Sequence, residues 1–485
     1  MGKFIKRLLA AVAVVLLALI VIIAFNTIRY VPEEIEAVEP VSLDVDLAKA
    51  TDTLSRAIQF RTVSTDTSHP DFNRFLTFLE QTYPAVHAAT ERVMIAEKTP
   101  LYKWAGSNAA QKPILFAAHY DVVPALADSL DQWEQPPFSG AVADGFIWGR
   151  GTLDNKGALI ALMEAAEKLA AQGFRPNRTI YFSFGHDEEV GGGGARAVAK
   201  YLKEQNVQLE WALDEGSFVL ERRFIKGLDK PVASINLAEK GYLTLELVAK
   251  GQGGHSSLPP QVTAVGRLAK AIAKLQDSPV PGGLSGLSEQ FFDALGRHFD
   301  LGRRIVFANR WLFDPLLERM LSADPSTNAM LRTTTAPTML SASTKENVLA
   351  TQAVGTVNFR LHPRDTIDGI VEYVRKTIDD EEIEVRIAGA IQSAASPVSS
   401  AEVDGFNQIK TTIQSVFGEL AIVPGLTIAA TDARYYALAA DHTYRINPFK
   451  VTRDDIKRFH GISERLSLEN LEKGIRFYAL ILSRQ

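Results

Sequence analysis

The most prominent feature of the hydrophobic pattern is an unbroken apolar run near the N-terminus. Residues 8–25 (LLAAVAVVLLALIVIIAF) contain no charge, polar group or proline. A helix needs about 20 apolar residues to cross a bilayer, so the run predicts a transmembrane helix within residues 1–27. A cleaved signal peptide is the alternative, but its apolar core is usually only about 7–15 residues long. No A-x-A cleavage site follows the run, so the pattern favours an uncleaved anchor.

Charges on either side of this run predict its orientation. Lys3, Lys6 and Arg7 precede it, and residues 28–46, with two prolines and many carboxylates, follow it as a predicted tether. Basic residues stay on the cytoplasmic side of a membrane. The N-terminus is therefore predicted to be cytoplasmic and the rest of the chain extracytoplasmic, or secreted if the run is cleaved.

Beyond the tether, short apolar runs alternate with amphipathic stretches. Residues 113–118 (PILFAA) and 179–184 (TIYFSF) predict two buried strands, and residues 157–171 between them have apolar side chains at helical spacing. Strand, helix and strand in this order predict a βαβ unit and a mostly parallel sheet. We assign residues 47–239 and 393–485 to this α/β domain.

The pattern changes within residues 240–392. Residues 243–249 (LTLELVA) and 354–361 (VGTVNFRL) alternate apolar and polar positions as half-buried strands do, with helical stretches between or beside them. This predicts an α+β domain inserted into the α/β domain. Residues 283–335, rich in helix formers with little strand signal, are predicted to be a helical insertion within it.

Composition and charge exclude several classes of protein. Of 485 residues, 46% are hydrophobic and 22% are charged, which is typical of a globular chain and not of a disordered one. A net charge of −5 gives no indication of nucleic-acid binding. The chain has no cysteine, so any metal must be held by His, Asp and Glu.

Four polar turns contain the candidate chemistry. They are H-x-D at His119 and Asp121, G-R-G-T-L-D-N-K-G at residues 149–157, H-D-E-E at residues 186–189 and D-E-G at residues 214–216. Functional groups collect at the carboxyl ends of strands in an α/β sheet, so the turns are expected to converge at one edge. Each turn alone is more typical of a structural loop.

Taken together, the turns predict a metal centre. Imidazole plus several carboxylates suits zinc or another divalent ion in a catalytic site. One histidine and three carboxylates exceed what one ion needs, and a carboxylate shared by two ions about 3.5–4 Å apart accounts for the excess.

The four motifs, in this order, resemble those of the di-zinc aminoacylase and carboxypeptidase family. H-Y-D-V-V-P, G-R-G-T-L-D-N-K-G, H-D-E-E-V-G-G and L-D-E-G carry the resemblance, which covers residues 47–485. R-Y-Y at residues 434–436 and F-H-G-I-S-E at residues 459–464 are similar to carboxypeptidase S and its secreted N-acyl-amino-acid hydrolase/synthase relatives. The resemblance implies a zinc-exopeptidase-like catalytic domain and a ferredoxin-like lid, formed by residues 240–392.

The resemblance also implies the ligands of two zinc ions. Asp154 is expected to bridge both ions, and the family's cis peptide bond then corresponds to Asp154–Asn155. His442 is the rival of His460 for the last position, and His460 is favoured because the G-x-x-E that follows it matches the subfamily. Cobalt or manganese are alternative ions, since such ligands do not discriminate sharply. The implied ligands are His119, Asp154, Glu189, Asp214 and His460.

Further roles around the metal pair follow from the same resemblance. Glu188 is expected to be the general base, which takes a proton from the attacking water and returns it to the leaving amine. Asp121 is expected to orient His119. His255, in the lid, is expected to donate a hydrogen bond to the tetrahedral oxyanion.

Three residues lie in motifs that match the family's substrate-carboxylate site: Asn347, Arg360 and Arg434. An arginine fork suits bidentate carboxylate recognition. The chain departs from the family's usual motifs at Ala350, where proline is common, and at Ser463, where asparagine is common. Both departures concern the shape of the carboxylate pocket.

The predicted function is zinc-dependent cleavage, or reversible formation, of an amide bond beside a free α-carboxylate in peptides or N-acyl amino acids. A strict dipeptidase or a deacylase of small cell-wall-derived amides is the alternative on the same site. An inactive carboxylate-binding protein is the non-enzymatic alternative. The intact ligand set and Glu188 favour an enzyme.

Overall fold

The computed structural model describes residues 2–35 and 44–485, except for the side chains of residues 2, 390 and 391. The predicted tether, residues 28–46, therefore lies partly outside the described residues. The helices are α1 (Gly2–Arg29), α2 (Leu47–Gln59), α3 (Asp71–Thr82), α4 (Pro84–Ala89), α5 (Lys156–Ala171), α6 (Gly193–Glu204), α7 (Ala264–Asp277), α8 (Leu287–Gly296), α9 (Leu301–Ala308), α10 (Arg310–Ser322), α11 (Pro325–Leu331), α12 (Ile367–Ile378), α13 (Asp404–Phe417), α14 (Ala433–Tyr436), α15 (Arg453–Arg458) and α16 (Leu468–Ser483).

The strands form one large sheet and three smaller ones. They are β1 (Glu91–Ile95), β2 (Thr99–Trp104), β3 (Ile114–His119), β4 (Val142–Ala143), β5 (Phe146–Trp148), β6 (Ile180–Gly185), β7 (Leu209–Asp214), β8 (Val219–Leu220), β9 (Val232–Glu239), β10 (Gly241–Lys250), β11 (Gly254–His255), β12 (Thr334–Ser341), β13 (Val348–Leu349), β14 (Gln352–Leu361), β15 (Ile383–Ser393), β16 (Ala421–Thr427), β17 (Ala440–Arg445), β18 (Lys450–Val451) and β19 (Arg465–Ser467).

The large sheet mixes parallel and antiparallel strands. Its order is β1-β2-β6-β3-β7-β17-β9-β8-β18, with β16 paired to β9. The central strands β6, β3, β7 and β17 are parallel, whereas β1–β2, β2–β6, β17–β9 and β9–β8 are antiparallel. The prediction of a mostly parallel sheet is therefore corrected to a mixed sheet. Only residues 96–98 join β1 to β2, and a loop this short cannot make the crossover that parallel strands require.

The strands and the helix predicted around the first polar turns are present. Residues 113–118 correspond to β3, residues 179–184 to β6, and residues 157–171 to α5. Every residue of β3 and β6 is buried, which explains why each strand is a continuous apolar run rather than an alternation. Because β3 and β6 are parallel neighbours, the loops that follow them lie at the same edge of the sheet.

A second sheet lies within residues 240–392. It is antiparallel, with the order β12-β14-β10-β15, and helices α7 and α12 cover it through a hydrophobic core of its own. Burial alternates along β10 and β14, as their sequence pattern predicts. Helices α8 to α11 lie between α7 and β12 along the chain and correspond to the predicted helical insertion at residues 283–335.

Among the described residues, α1 is the one helix that is long and apolar enough to span a membrane. A signal sequence near an N-terminus has the same properties. Most side chains of α1 are exposed. Near its end, Leu19 and Ile23 are half-buried, and Thr27 and the following Tyr30 are buried. The end of α1 packs against α9.

Candidate metal centre

The polar turns meet at the edge of the large sheet where its parallel strands end. His119 is the last residue of β3, Glu189 lies in a short 3-10 turn after β6, and Glu215 directly follows β7. Asp154 lies in the loop before α5, and its peptide bond to Asn155 is cis, as the resemblance implied. Because β6, β3 and β7 are parallel neighbours, their carboxyl ends bring these side chains together.

Two groups of side chains share Asp154. In the first group, His119 Nε2 lies 2.9 Å from Asp154 Oδ1 and 3.0 Å from Glu215 Oε1. In the second group, His460 Nε2 lies 2.8 Å from Asp154 Oδ2 and 3.2 Å from Glu189 Oε2. The two oxygens of Asp154 therefore face different groups, an arrangement that suits a carboxylate bridging two cations.

The acid that contacts His119 in the structure is Glu215, the neighbour of the predicted ligand Asp214, and the assignment of Asp214 as a ligand stays a prediction. Asp214 is the last residue of β7 and Glu215 directly follows the strand, and the charge of His119 acts on the pKa of both carboxyl groups. The second oxygen of Glu215 accepts a hydrogen bond from Asn155 Nδ2 at 2.6 Å. Asp214 Oδ2 is buried without a hydrogen-bond partner among the described residues, and burial raises the pKa of Asp214 to about 7.

The structure brings His460, and not His442, to the shared carboxylate. His442 lies on β17, where the backbone N–H of Ser400 is 3.4 Å from its Nδ1 and its ring stacks on Tyr444. His460 comes from the loop between α15 and β19, more than 300 residues from Asp154 in the chain. Only the return of the C-terminal segment to the sheet edge makes this contact.

Glu464 joins the loop of Asp154 to the loop of His460, a role that the sequence analysis missed. Its Oε1 accepts hydrogen bonds of 2.8–3.1 Å from three backbone N–H groups of the loop that ends at Asp154. Its Oε2 accepts a 2.7 Å bond from Arg150, which also donates to the carbonyl of Gly461 at 2.7 Å. The G-x-x-E spacing after His460 is the feature of the sequence that points to Glu464, although the resemblance connects it only with the subfamily.

Asp121 contacts both His119 and the turn of Glu188 and Glu189. Its Oδ1 lies 3.3 Å from His119 Nδ1, as expected for a carboxylate that orients the ring. Its two oxygens also accept the backbone N–H groups of Glu188 at 3.2 Å and Glu189 at 3.1 Å. One side chain therefore positions the imidazole and the acidic turn together.

The electrostatics of the two groups fit divalent cations. Burial raises the pKa of Glu188 well above its ordinary value and the pKa of Glu189 to about 7. Hydrogen bonds to Asp154 and Glu189 raise the pKa of His460 to about 10. Protons on histidine thus supply the positive charge that cations supply in a loaded site. Glu189 Oε1 is buried and has no hydrogen-bond partner within the described part of the chain. The set of imidazoles and carboxylates suits zinc, cobalt or manganese.

The predicted lid residues His255 and Asn347 lie side by side, outside the two groups. His255, on β11, is exposed, and its Nδ1 is 2.8 Å from Ser257 Oγ in the same turn. Pairing of β11 with β13 brings the Asn347 carbonyl to 3.1 Å from the backbone N–H of Ser256. Asn347 Oδ1 is buried without a hydrogen-bond partner among the described residues.

The two predicted carboxylate-binding arginines lie within electrostatic reach of each other. Burial lowers the pKa of Arg360, and the charge of Arg434 lowers it further. The Arg360 guanidinium lies 4.6 Å from the centre of the Tyr242 ring. Arg434 Nε is 2.9 Å from Glu239 Oε1, at the end of β9. Glu239 is shared by Arg434 and Arg445, whereas Arg360 forms no salt bridge with a carboxylate among the described residues, so its guanidinium has capacity to bind an anion.

Comparison with known proteins identifies the family of this chain. The model of peptidase family M20/M25/M40 matches residues 115–484. The chain is 38% identical over 482 residues to probable carboxypeptidase S-like 2 of Dictyostelium discoideum, covering 96% of this chain and 91% of that protein. It is 38% identical over 434 residues to the N-fatty-acyl-amino acid synthase/hydrolase PM20D1 of Mus musculus, covering 87% and 85%. The solved structure of an M20 family metallo-carboxypeptidase from Sulfolobus solfataricus has a TM-score of 0.64 at 18% identity, covering 90% of this chain and 98% of that chain.

Proposed function

Since the chain belongs to peptidase family M20/M25/M40, whose members are metal-dependent peptidases and amidohydrolases, we propose that it hydrolyses an amide bond beside a free α-carboxylate. The substrates are peptides or N-acyl amino acids, and Glu188 is the general base. The observation that carries the proposal is the carboxylate of Asp154, whose two oxygens face two separate ligand groups beside the Glu188 turn.

Each group has the side chains to hold one divalent cation. His119, Asp154 and Glu215 would hold the first, and Asp154, Glu189 and His460 the second. When bound, two such cations lower the pKa of a water and polarise the substrate carbonyl. Asp121 keeps His119 in the orientation in which Nε2 faces the site and Nδ1 faces away.

In this proposal Glu188 exchanges protons next to these groups and belongs to neither of them. Its backbone N–H is held by Asp121, so the turn presents both acids in a set position. Burial, reinforced by the charges of Glu215, Asp432 and Glu189, raises the pKa of Glu188 well above its ordinary value. A buried carboxylate with a high proton affinity takes a proton from the attacking water and returns it to the leaving amine.

The antiparallel sheet within residues 240–392 acts, in this proposal, as a lid. His255 lies on β11 of the separate two-stranded sheet β11–β13, Asn347 directly precedes β13, and Arg360 lies on β14 of the four-stranded sheet. Closure over a bound substrate excludes water and brings His255 to the developing oxyanion. The side-chain N–H of Asn347 and the two arginines then donate hydrogen bonds to the substrate carboxylate.

Replacing His255 by alanine is expected to lower kcat by about 10²–10³-fold, because the oxyanion loses a preorganised donor. Zinc content is expected to stay unchanged, since His255 lies outside both ligand groups. Steady-state kinetics and elemental analysis measure the two quantities. His442→Ala is the matched control and should leave kcat unchanged. An unchanged kcat in the His255 variant would remove this residue from the mechanism.

The unmodified protein is expected to hydrolyse an N-acyl amino acid much faster than its α-amide, because the arginines recognise the carboxylate. Arg360→Ala should reduce this ratio of kcat/KM values. Arg386→Ala is the control, since this arginine lies on the same antiparallel sheet but is paired with Glu246 at 2.7 Å. Equal hydrolysis of acid and amide by the unmodified protein would contradict carboxylate recognition.

We also propose that α1 remains attached as a membrane anchor, with the rest of the chain extracytoplasmic. Asn26 Nδ2 donates to Asn309 Oδ1 at 3.0 Å, and the Tyr30 hydroxyl donates to the carbonyl of Asp293 at 2.6 Å. These contacts tie the end of α1 to the folded body. Cleavage after Phe25 would leave Asn26 and Tyr30 on the body but would remove Ile23, whose carbonyl lies 3.4 Å from Asn309 Nδ2.

A screen of N-acyl amino acids and dipeptides against the zinc-loaded full chain tests the proposed reaction. Turnover of N-acyl amino acids supports it, and turnover of dipeptides alone would favour a strict dipeptidase. Turnover confined to small cell-wall-derived amides would favour the deacylase. Two bound zinc ions without turnover of any amide would favour a carboxylate-binding protein and contradict the proposal.

A further inference from the structure

The last turns of α1 are held by a buried polar contact with the helical insertion. Asn309, between α9 and α10, is fully buried. Its Oδ1 accepts from Asn26, and its Nδ2 lies 3.3 Å from Thr27 Oγ1 and 3.4 Å from the carbonyl of Ile23. The start of α10 therefore lies directly beside the segment of α1 from Ile23 to Thr27.

This contact reaches into the apolar run of α1. Leu19 and Ile23 are half-buried and lie on the same helix face as the buried Thr27. The apolar run continues to Phe25. At a rise of about 1.5 Å per residue, Leu19 lies about 9 Å along the axis before the end of this run. If the run spans the hydrocarbon core, the insertion meets α1 at the depth of the outer membrane interface.

The exposed face of α10 is apolar, unlike that of an ordinary surface helix. Its six exposed positions hold four large apolar side chains, one proline and one arginine. By contrast, α12 exposes Asp368, Glu372, Arg375 and Lys376. The large exposed apolar residues of α10 are Trp311 (59% exposed), Leu312 (41%), Leu316 (49%) and Met320 (62%).

The two acids of α10, Asp314 and Glu318, are not among its exposed positions, and each has a partner. Asp314 is paired with Arg310 at 2.9 Å, and Glu318 accepts the backbone N–H of Leu284 at 3.3 Å. The one charge on the exposed face is Arg319, a long cationic side chain that can reach phosphate groups while its stem lies on apolar surface. A tryptophan, aliphatic side chains and a basic residue on one helix face are typical of a helix that lies in a membrane interface.

We propose that α10 lies in the surface of the bilayer that α1 spans, with Trp311, Leu312, Leu316 and Met320 inserted between lipids. This rests on the proposed membrane anchoring and adds a second, non-spanning contact. The polar contact at Asn309 sets the two helices at a defined angle. Together they hold the catalytic body in one orientation over the membrane, which a single spanning helix does not do.

Trp311 reports directly on this contact. The other four tryptophans, at positions 104, 133, 148 and 211, are each at most 9% exposed. The full chain is reconstituted in phosphatidylcholine vesicles with or without lipids brominated near the headgroup, and tryptophan emission is compared. We expect partial quenching by the brominated lipid, and we expect Trp311→Phe to abolish it while the emission of the buried tryptophans remains.

Charge placed on the apolar face should lift Trp311 out of the lipid. The double variant Leu316→Glu/Met320→Glu is expected to lose most of the quenching. The matched control is Met339→Glu/Leu340→Glu, which changes two apolar residues on the edge strand β12 that are even more exposed and should leave quenching unchanged. Equal loss in both variants would overturn the assignment to α10.

Anchoring and hydrolysis are measured on the same vesicles, so that failure of the anchoring, of the α10 position and of the proposed reaction can be told apart. Retention of the chain after alkaline carbonate extraction shows that α1 is inserted. Retention without quenching of Trp311 overturns the interfacial position of α10 and leaves the anchor intact. Release by carbonate overturns both. Hydrolysis of an N-acyl amino acid does not enter the quenching signal, so its absence would contradict only the proposed reaction.

Discussion

Replacing Glu188 by alanine is expected to lower kcat by about 10²–10⁴-fold, the usual loss when a general base is removed. The two ligand groups do not include Glu188, so zinc content is expected to stay at the unmodified level. The measurements are single-turnover or steady-state kinetics on an N-acyl amino acid and elemental analysis of the purified variant. The loss should appear in kcat rather than in KM, because the proton transfer occurs only in the reaction.

Two comparisons make this result specific. Glu188→Gln keeps the size of the side chain and the turn held by Asp121, so it should lose activity to a similar extent. Glu204→Gln, on the exposed surface of α6, should have no effect. Loss of metal from the Glu188 variants would make Glu188 a ligand and would move the role of base to another side chain.

Glu215→Ala is expected to empty one metal position and to abolish hydrolysis, whereas Asp214→Ala should retain both metals. The reason is geometric, since Glu215 Oε1 lies 3.0 Å from His119 Nε2 and Asp214 belongs to neither group among the described residues. Equilibrium dialysis with zinc, followed by elemental analysis, measures the stoichiometry of each variant.

The adjacent acids provide a close pair for this test. Both are buried, so a general loss of stability affects both variants and is detected by thermal unfolding in the absence of zinc. His460→Ala should reproduce the metal loss of Glu215→Ala at the other position, and His442→Ala should not. Loss of one zinc from the Asp214 variant with full zinc in the Glu215 variant would restore the assignment made from the sequence.

The local pattern of apolar and polar residues was sufficient to predict the central strands and the first helix next to the site. The continuous apolar runs of β3 and β6 predicted strands buried on both faces, and helical spacing predicted α5, because these patterns depend only on near neighbours in the chain. The edges of the sheet were not predictable in this way. Strands β1 and β2 pair with each other because a three-residue loop joins them, and this antiparallel edge makes the sheet mixed.

Local sequence pattern was also insufficient to predict every contact of the metal centre. Position after a strand indicated the polar turns, and the family resemblance indicated the individual ligands, Asp214 among them. Which of the adjacent acids Asp214 and Glu215 contacts His119 is a property of the folded chain, and in the structure it is Glu215. The function of Glu464 was likewise not visible, since its hydrogen bonds join segments more than 300 residues apart.

The sequence by itself determined the types of ligand, the apolar N-terminal helix and the strands that end at the site, because residue chemistry and local periodicity are properties of short segments. Tertiary structure decided which of two adjacent acids faces the histidine, how the last histidine returns to the sheet edge, and where the apolar face of α10 lies relative to α1. These outcomes depend on contacts between segments far apart in the chain, where strand pairing and packing select one arrangement among several that the same local patterns allow.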